Sequence, residues 1–305
     1  MIKPLVSICC QTYNHYKFIS QCLDGFLMQQ TAFDYEILVH DDASTDNTTA
    51  IIKEYERKYP HLFRCVYQTE NQFKKQNSLT NILFPMSRGK YIALCEGDDY
   101  WTDPLKLQKQ VDVLEKNSKL AIAAHGSYSL TDRLLLIDSP FEVDTIWSTK
   151  DILVNKWFIM TASLMFRKSM IDLSRNWLPQ ISHGDLALIL LASLNGDGFY
   201  TPEPMCVYRM AGLGIMSRFT VKDSKNYIVL LDHFNKRSDH KFDKEITTLQ
   251  EKIRIDIVHQ YIAQNKSIPL FSVRYWQNVI QGLKWARIRN WPNFTKKLVK
   301  GKLSK

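Results

Sequence analysis

The first hundred residues alternate short apolar segments with segments of helical periodicity, and this alternation constrains the fold more than any other feature. The apolar segments, which are short enough to be strands, span 5–10, 35–40, 63–68 and 89–95. Apolar residues recur at helical spacing in 19–30, 49–59 and 78–86. Strands that alternate with helices form parallel sheets through right-handed crossovers. We therefore predict an α/β domain with a mostly parallel sheet flanked by helices on both faces.

Polar clusters follow three of these predicted strands at the point where each strand ends. The first cluster reads QTYN (11–14), the second DDASTD (41–46) and the third EGDD (96–99). In open α/β sheets, ligands bind outside the carboxyl ends of the strands, where loops and helix N-termini meet. We therefore expect the three clusters to line one crevice, although they are far apart in the sequence.

Two acidic residues are explained by the helices that follow them. Asp103 precedes Pro104 and the helical pattern of 105–115, which is typical of an N-cap followed by proline at the first helical position. Asp46 stands before the helix that begins near residue 49, and capping is the favoured interpretation there as well. These two carboxylates are expected to be structural.

Three acidic residues of the third cluster are not explained by capping. Glu96, Asp98 and Asp99 directly follow a buried strand, where like charges are costly unless a cation is present. Hard divalent ions such as Mg²⁺ or Mn²⁺ take carboxylate, water and phosphate oxygens as ligands, and Gly97 gives the loop a hinge. Binding of a metal and a phosphate is favoured slightly over a solvated acidic loop, and the role of Asp99 stays open.

The net charge of +9 is concentrated at the C-terminus. Residues 264–305 contain ten Lys and Arg residues and no Asp or Glu, so the rest of the chain is close to neutral. Aromatic residues interleave with these basic residues, which suits either the interface of an anionic membrane or a helical appendage with a solvated basic face. Nucleic-acid binding is disfavoured because the crevice is acidic and no nucleic-acid motif is present.

Neither a membrane-spanning segment nor a signal peptide is predicted. Apolar stretches such as 186–194 fall short of the roughly 18 residues that a membrane-spanning helix needs, and the first residues lack the order of a signal peptide. The six cysteines form no CxxC pair, and several lie in apolar segments as reduced core cysteines do. A cytoplasmic location is expected, with peripheral attachment of the tail to the inner face of the cell membrane as an option.

Five ordered motifs between residues 6 and 217 resemble those of glycosyltransferase family 2. They are VSICCQTYNHYKFISQCLDGFLMQQ, YEILVHDDASTDNT, GKYIALCEGDDYWTDPLKLQKQ, GDLAL and VYRM. The resemblance implies the Rossmann-like GT-A fold for a catalytic domain of residues 1–218, followed by a helical, basic C-terminal region of residues 219–305. It also implies an inverting enzyme that uses a nucleotide sugar and a divalent metal, Mn²⁺ or Mg²⁺.

The resemblance also assigns roles to single positions. Those of the donor-binding site are Gln11, Thr12, Tyr13, Asn14, Asp42, Glu96, Gly97, Asp98 and Arg209. Tyr13 would lie near the nucleotide base, Asp42 would accept a hydrogen bond from the base edge, typically uracil, and Glu96 would lie near the ribose. Asp98 would bind the metal on the diphosphate. From the residues alone, Asp185 is equally well explained as a helix N-cap or as a catalytic base. The resemblance places it at the position of the family's catalytic base and so favours the second role.

These assignments imply transfer by single displacement with inversion. A metal stabilises the departing nucleoside diphosphate, while a free carboxylate takes the proton of the acceptor hydroxyl. The expected substrates are a UDP sugar and a saccharide or lipid-linked acceptor of surface polysaccharide or lipopolysaccharide. Two alternatives remain: a metal-dependent nucleotidyltransferase or phosphoesterase, and a nucleotide-sugar-binding protein without activity. Kinase-like and dinucleotide-binding sites are disfavoured because no Walker loop and no GxGxxG element is present.

One departure from the family pattern concerns the metal. The family often places a histidine two residues after its Tyr-Arg pair, where this sequence has Ala211. His125 and His183 are candidates to replace it, although an isolated histidine is more often a surface or core residue. Arg209 and Ser217 remain as expected contacts of the diphosphate.

Overall fold

The chain forms two compact units, Met1–Arg218 and Phe219–Lys305. The computed structural model describes residues 3–72, 79–131, 135–155, 159–171, 184–210 and 220–263, and the side chains of these except 79 and 258–263. The first unit is built around a ten-stranded mixed sheet, and the predicted α/β class is confirmed.

Four parallel strands form one half of this sheet. They are β1 (Val6–Thr12), β2 (Tyr35–Asp41), β3 (Phe63–Tyr67) and β4 (Tyr91–Leu94), in the spatial order β3-β2-β1-β4. Helix α1 (Ile19–Leu27) connects the first two strands, and helix α2 (Thr48–Lys58) connects the next two. The four predicted strands and these two predicted helices are confirmed, with ends that differ by up to three residues.

The predicted helix over 78–86 is only partly correct. The chain forms a π-helical turn over Leu79–Leu83 and then the short helix α3 (Phe84–Met86). Pro85 lies in the first turn of α3, where its missing N–H costs nothing, but it could not stand in the middle of a longer α-helix. The proline therefore divides the segment.

The other half of the sheet contains six strands, and the four that have only two to four residues were not predicted from the sequence. Its strands are β5 (Tyr100–Trp101), β6 (Leu120–Leu130), β7 (Leu135–Asp138), β8 (Thr145–Trp147), β9 (Met165–Arg167) and β10 (Asp197–Arg209). Its helices are α4 (Lys106–Lys116), α5 (Thr149–Asn155) and α6 (Gly184–Ser193). Strand β9 runs antiparallel between β4 and β6, and β6 pairs in parallel with β10. Antiparallel pairing always involves one of the short strands, so the sheet is mostly parallel as predicted.

Helix α6 is buried on every side. All residues from 186 to 193 are buried, because this segment is apolar around its whole circumference rather than along one stripe. The surrounding core fixes the helix in place, and with it the position of Asp185 in the first turn.

A buried glutamate near the amino end of β2 shows how this fold pairs an interior charge. Glu36 accepts hydrogen bonds from the Ser7 hydroxyl and from the N–H of Arg88, each at 2.7 Å. The guanidinium groups of Arg64 and Arg88 also reach it, at 3.1 and 2.7 Å. Burial alone would raise the pKa of Glu36, but these hydrogen bonds lower it below its ordinary value. The carboxylate is therefore ionised and structural.

The second unit contains two helices in its described part, α7 (Val221–Arg237) and α8 (Asp243–Ala263). A capping box between Thr220 and Asp223 begins α7, and Gln250 of α8 donates to Asp232 of α7 at 2.7 Å. The helical prediction is confirmed over these residues, whereas the basic tail of 264–305 lies outside the described residues. Within the described part of the chain, no helix combines the length and the apolar character needed to cross a bilayer.

Candidate active site

The loops after β1 and β2 are joined by hydrogen bonds through Asn14. Its side-chain oxygen accepts the N–H of Thr45 at 2.8 Å, and its own N–H donates to the Ser44 hydroxyl at 2.9 Å. Asn14 and Ala43 both adopt left-handed backbone conformations, with φ of 57° and 63°. Such conformations cost about 1–2 kcal/mol at an ordinary residue and concentrate at ligand-binding loops. The left-handed conformations of Asn14 and Ala43 are therefore typical of a ligand-binding edge of the sheet.

Glycine at position 97 lets the acidic loop approach the loop after β1. The N–H of Gly97 donates to the Gln11 carbonyl at 2.8 Å. A Cβ atom at this position would lie 2.5 Å from Thr12 Oγ1 and 3.1 Å from His15 Nδ1. Together with the contacts of Asn14, this close approach brings all three polar clusters to one edge of the sheet.

Four carboxylates lie close together at this edge, those of Glu96, Asp98, Asp99 and Asp185. Burial and then the charges of the other three raise the pKa of Glu96 well above its ordinary value. Burial and the same four acids raise the pKa of Tyr208 to about 12. In the described part of the chain, Glu96 Oε2 is buried without a hydrogen-bond partner. Glu36 is neutralised by arginines, whereas no Lys or Arg among the described residues forms an ion pair with Glu96.

Asp99, whose role the sequence left open, fastens the acidic loop to strand β10. Its side chain is buried, and Oδ1 accepts the N–H of Arg209 at 2.9 Å. Burial and the adjacent charge of Asp98 raise the pKa of Asp99 well above its ordinary value. This geometry makes Asp99 a structural partner of Arg209.

The guanidinium of Arg209 is held beside the acidic loop by two rings and two hydrogen bonds. It lies 4.8 Å from the centre of the Phe18 ring and 4.4 Å from that of Tyr100. It also donates to the carbonyl oxygen of Asp98 and to the side-chain oxygen of Gln21. Cation–π contacts contribute about 0.5–2 kcal/mol each. Arg209 therefore places a fixed positive charge next to the carboxylates.

Asp185 is partly buried at the start of α6. Its Oδ2 accepts the Thr161 hydroxyl and its Oδ1 accepts the N–H of Leu186, both at 2.9 Å. Burial raises the pKa of Asp185 to about 6, and these hydrogen bonds limit the rise. A carboxyl with this pKa is ionised at neutral pH and more basic than an exposed aspartate, which suits a general base.

The 3-10 turn that contains Thr161 is anchored by side chains from other elements. Trp101 Nε1 donates to the Ala162 carbonyl at 2.9 Å, and Gln110 Nε2 donates to the Ser163 carbonyl at 2.8 Å. Trp101 belongs to β5, two residues after the acidic loop. The acidic loop and the hydrogen-bond partner of Asp185 therefore share one support.

The residues predicted to contact the nucleoside differ in exposure. Gln11 is partly buried, whereas 42% of the surface of Tyr13 is exposed. Asp42 is buried; its N–H donates to the Thr12 carbonyl at 3.0 Å, and its Oδ1 accepts the N–H of Gln72 at 2.6 Å. Tyr13 is thus accessible to a planar ligand, and the carboxylate of Asp42 is fixed by the backbone of the following loop.

Asp103 and Asp46 are not the N-caps that were predicted, because α4 and α2 are capped at Leu105 and Asn47 without a side-chain capping hydrogen bond, but both carboxylates bind N–H groups next to the helix starts. Asp103 Oδ1 accepts the N–H of Leu105 at 2.7 Å, and its other oxygen pairs with Lys109 at 2.7 Å. Asp46 Oδ1 accepts the N–H of Thr48 at 2.9 Å. Both carboxylates therefore stabilise the beginnings of helices, although α4 starts two residues later than Pro104 suggested.

His15 and Thr161 belong to this site and were not predicted from the sequence. His15 Nδ1 lies 3.2 Å from Thr12 Oγ1, and its Nε2 lies 3.9 Å from Asp98 Oδ2. His15 directly follows the first polar cluster, and Thr161 interrupts an apolar run, so each had a signal in the sequence. Their partners come from distant segments, which only the fold brings near.

The two histidines considered as replacements for a ligand at position 211 have different outcomes. His125 is buried in β6 with Nδ1 2.7 Å from the Gly126 carbonyl, and burial lowers its pKa well below the ordinary value. That environment is typical of a core histidine. His183, Ala211 and Ser217 lie outside the described residues.

The acidic loop has the chemistry of a site for a hard cation. Asp98 is partly exposed, and the unpaired Oε2 of Glu96 is a second oxygen donor. Across the described residues, no three His, Cys, Asp or Glu side chains are arranged to hold a metal by themselves. Mg²⁺ commonly binds through one or two carboxylates together with substrate phosphates. The residues therefore fit an ion that binds with a diphosphate.

The sheet order and the loops at its carboxyl edge match the GT-A fold. The family described as "Glycosyl transferase family 2" matches residues 7–195, more than half of the chain, and the chain belongs to this family. An uncharacterized protein of Mycobacterium tuberculosis is 37% identical over 218 residues, which are 69% of this chain. The chain spans only 60% of the length of that relative.

Two solved structures have the same fold. TarS of S. aureus (residues 1–349, in complex with UDP-GlcNAc) aligns with a TM-score of 0.66 and 14% identity, over 92% of this chain and 80% of its own. The mannosyltransferase PcManGT of Pyrobaculum calidifontis, in complex with GDP-Man and Mn²⁺, aligns with a TM-score of 0.59 and 14% identity, over 97% of this chain and 84% of its own. At this identity, the likeness establishes the fold.

Proposed function

We propose that this chain is an inverting glycosyltransferase that moves a sugar from a UDP sugar to a saccharide or lipid-linked acceptor of surface polysaccharide or lipopolysaccharide. One observation carries the proposal. Asp185, a carboxylate whose pKa is raised to about 6, lies near an acidic loop in which a buried oxygen of Glu96 is unpaired. The protein thus offers one set of oxygens for a metal diphosphate and a separate carboxylate for the acceptor.

In this proposal the acidic loop and Arg209 bind the leaving group. Asp98 would hold Mn²⁺ or Mg²⁺, with Glu96 near the ribose, and the ion would supply positive charge for the departing diphosphate. Arg209, fixed between Phe18 and Tyr100, adds a positive charge that is already in place before the bond breaks. Gly97 keeps the loop close enough to β1 for one diphosphate to contact both.

Asp185 accepts the proton of the attacking hydroxyl. The Thr161 hydroxyl and the N–H of Leu186 each occupy one lone pair of the carboxylate, and each carboxylate oxygen has a second lone pair to accept from the acceptor. A base opposite the leaving group produces a single displacement, so the anomeric configuration inverts.

The nucleoside pocket is proposed to form from the loops after β1 and β2. Tyr13 contacts the base, Asp42 accepts a hydrogen bond from the base edge, and Gln11, Thr12 and Asn14 shape the pocket between them. The solved relatives support a nucleotide-sugar donor, because TarS is in complex with UDP-GlcNAc and the mannosyltransferase with GDP-Man and Mn²⁺. Uracil is proposed as the base.

The donor and the metal are tested together by calorimetry. The full chain is titrated with UDP and with GDP, each in the presence and in the absence of Mn²⁺. We expect UDP to bind more tightly when Mn²⁺ is present, and Asp98→Ala to abolish this gain. Asp112→Ala, an exposed carboxylate of α4, is the matched control and should retain it. The proposed site would be overturned if the affinity for UDP were the same with and without Mn²⁺ and the same in Asp98→Ala.

The chemistry is tested with UDP sugars and with free or lipid-linked saccharide acceptors. We expect UDP release to depend on an acceptor and the product to have the inverted anomeric configuration by NMR. A phosphoesterase or nucleotidyltransferase would consume the nucleotide without a sugar acceptor. A binding protein would give no product at all.

Residues 1–218 are proposed as the catalytic domain and residues 219–305 as a helical region whose basic tail contacts an anionic membrane from the cytoplasmic side. The support is the concentration of positive charge and aromatic residues in 264–305. Co-sedimentation of the full chain with phosphatidylglycerol vesicles, but not with phosphatidylcholine vesicles, is expected. Sedimentation of equal amounts of protein with the two kinds of vesicle would contradict the proposal.

A further inference from the structure

His15 occupies a defined position between the loop after β1 and the acidic loop. Its side chain is 24% exposed, so the imidazole is largely enclosed but still reaches solvent. Nε2 is directed towards the carboxylate of Asp98, with 3.9 Å to Oδ2, and Nδ1 lies 3.2 Å from Thr12 Oγ1. Gly97 makes this placement possible, because a Cβ atom there would lie 3.1 Å from Nδ1.

Nε2 and Oδ2 are close enough that a small side-chain movement would make both of them ligands of one ion. Ligand atoms about 2.1 Å from an octahedral ion are about 3.0 Å apart when adjacent and about 4.2 Å apart when opposite. The observed 3.9 Å matches neither arrangement, so the two side chains would have to approach by about 0.9 Å to take adjacent positions around one ion. The separation also exceeds the 2.7–3.2 Å of a direct hydrogen bond. Asp98 and His15 are therefore too far apart for a direct hydrogen bond, although a protonated His15 would form an ion pair with Asp98, and they are close enough to share a cation.

The other nitrogen of the ring has the partner that a ligand histidine needs. A metal-bound imidazole usually donates its second N–H to a nearby acceptor, which fixes the tautomer and the ring orientation. Thr12 Oγ1 lies 3.2 Å from Nδ1 and accepts its N–H in the tautomer that is protonated at Nδ1. This hydrogen bond would leave the lone pair on Nε2, the atom that points to Asp98.

From this geometry we infer that His15 is a protein ligand of the divalent metal, together with Asp98. This inference rests on the donor site proposed above and goes beyond it by adding a nitrogen ligand. Two side chains are too few to hold the ion alone, so the diphosphate oxygens complete the coordination. Metal and nucleotide should therefore bind cooperatively.

The decisive measurement is pulsed EPR of Mn²⁺ with UDP bound to the full chain, grown with ¹⁵N-labelled histidine. We expect electron spin-echo modulation from a directly coordinated imidazole nitrogen, shifted from the ¹⁴N to the ¹⁵N pattern by the label. His15→Gln should remove this modulation and weaken Mn²⁺ binding in the presence of UDP by about tenfold or more. His61→Gln, an exposed histidine of the same unit, should leave both unchanged.

The outcomes separate the inference from the proposed function. A complex of Mn²⁺ and UDP that depends on Asp98 but shows no histidine nitrogen would overturn the role of His15 and leave the donor site intact. Absence of any such complex in the unaltered protein would overturn both. Absence of histidine modulation in the labelled unaltered protein rejects the inference even if His15→Gln folds poorly, and modulation that persists in a folded His15→Gln variant, as binding by His183 would produce, also rejects it.

Discussion

Replacing Asp185 with asparagine should stabilise the protein while it abolishes transfer. Burial raises the pKa of this carboxyl from 3.8 to about 6, so the ionised form is less stable in the folded chain than in the unfolded chain. About two pKa units correspond to about 3 kcal/mol, and partial exposure of Asp185 reduces this to about 2 kcal/mol. Asparagine removes the charge and keeps the shape.

The hydrogen bonds of Asp185 should survive the substitution. The amide oxygen can accept the N–H of Leu186, and the amide nitrogen can donate to the Thr161 hydroxyl, which is able to accept. For a unit of this size, about 2 kcal/mol raises Tm by about 4–8 °C. Thermal unfolding at pH 8 measures this gain, and release of UDP in the presence of an acceptor measures transfer.

The gain in stability should depend on pH in a defined direction. It is complete above the folded pKa of about 6, shrinks as the pH falls through that value, and vanishes below 3.8, where Asp185 is protonated in both states. Asp151→Asn is the control, because Asp151 accepts the N–H and hydroxyl of Ser148 at 2.7 Å, and its loss should not stabilise the chain. Destabilisation by Asp185→Asn at pH 8 would refute the reasoning about burial, and undiminished transfer would refute the proposed base.

Three further predictions concern the same edge of the sheet. The kcat/KM of transfer should fall about tenfold per pH unit below about 6, because only ionised Asp185 accepts a proton; a flat profile from pH 5 to 8 would contradict this. Thr161→Val removes a hydrogen bond that lowers the pKa of Asp185, so the acidic limb of the rate profile should move to higher pH, and an unmoved limb would count against the contact. Gly97→Ala places a Cβ atom 2.5 Å from Thr12 Oγ1 and should lower stability by about 1–3 kcal/mol in urea unfolding; an unchanged midpoint would show that the two loops can separate.

The first half of the fold could be predicted because its strands carry their signal locally. Strands such as β1 and β2 are continuous apolar segments that end at polar clusters, and both were found within two residues of their ends. Strands β5 and β9 contain two and three residues. They exist because distant strands offer hydrogen-bond partners, and a segment this short has no periodicity of its own.

The candidate site, like the fold, could be predicted only in part from the sequence. The convergence of the polar clusters follows from the topology of a parallel sheet, so the sequence was sufficient to predict it. The link between Asp185 and Thr161 was not predictable, because the two residues are 24 positions apart and meet only when α6 is buried. Asp99 could not be separated from Asp98 by sequence either, since only the fold turns one side chain inward to the N–H of Arg209.

Trp101 connects the acidic loop, which is the proposed diphosphate site, with the turn that supports the proposed base. Its backbone continues the acidic loop, and its indole N–H holds the carbonyl next to Thr161, the partner of the proposed base. We therefore expect a displacement of the acidic loop to shift the turn as well, so that the proposed diphosphate site and the proposed base keep their spacing. Loops elsewhere on the surface can then diverge without altering that spacing. Acceptor preference and the chemical step are thus separable in evolution, and relatives could change their product while keeping one reaction geometry.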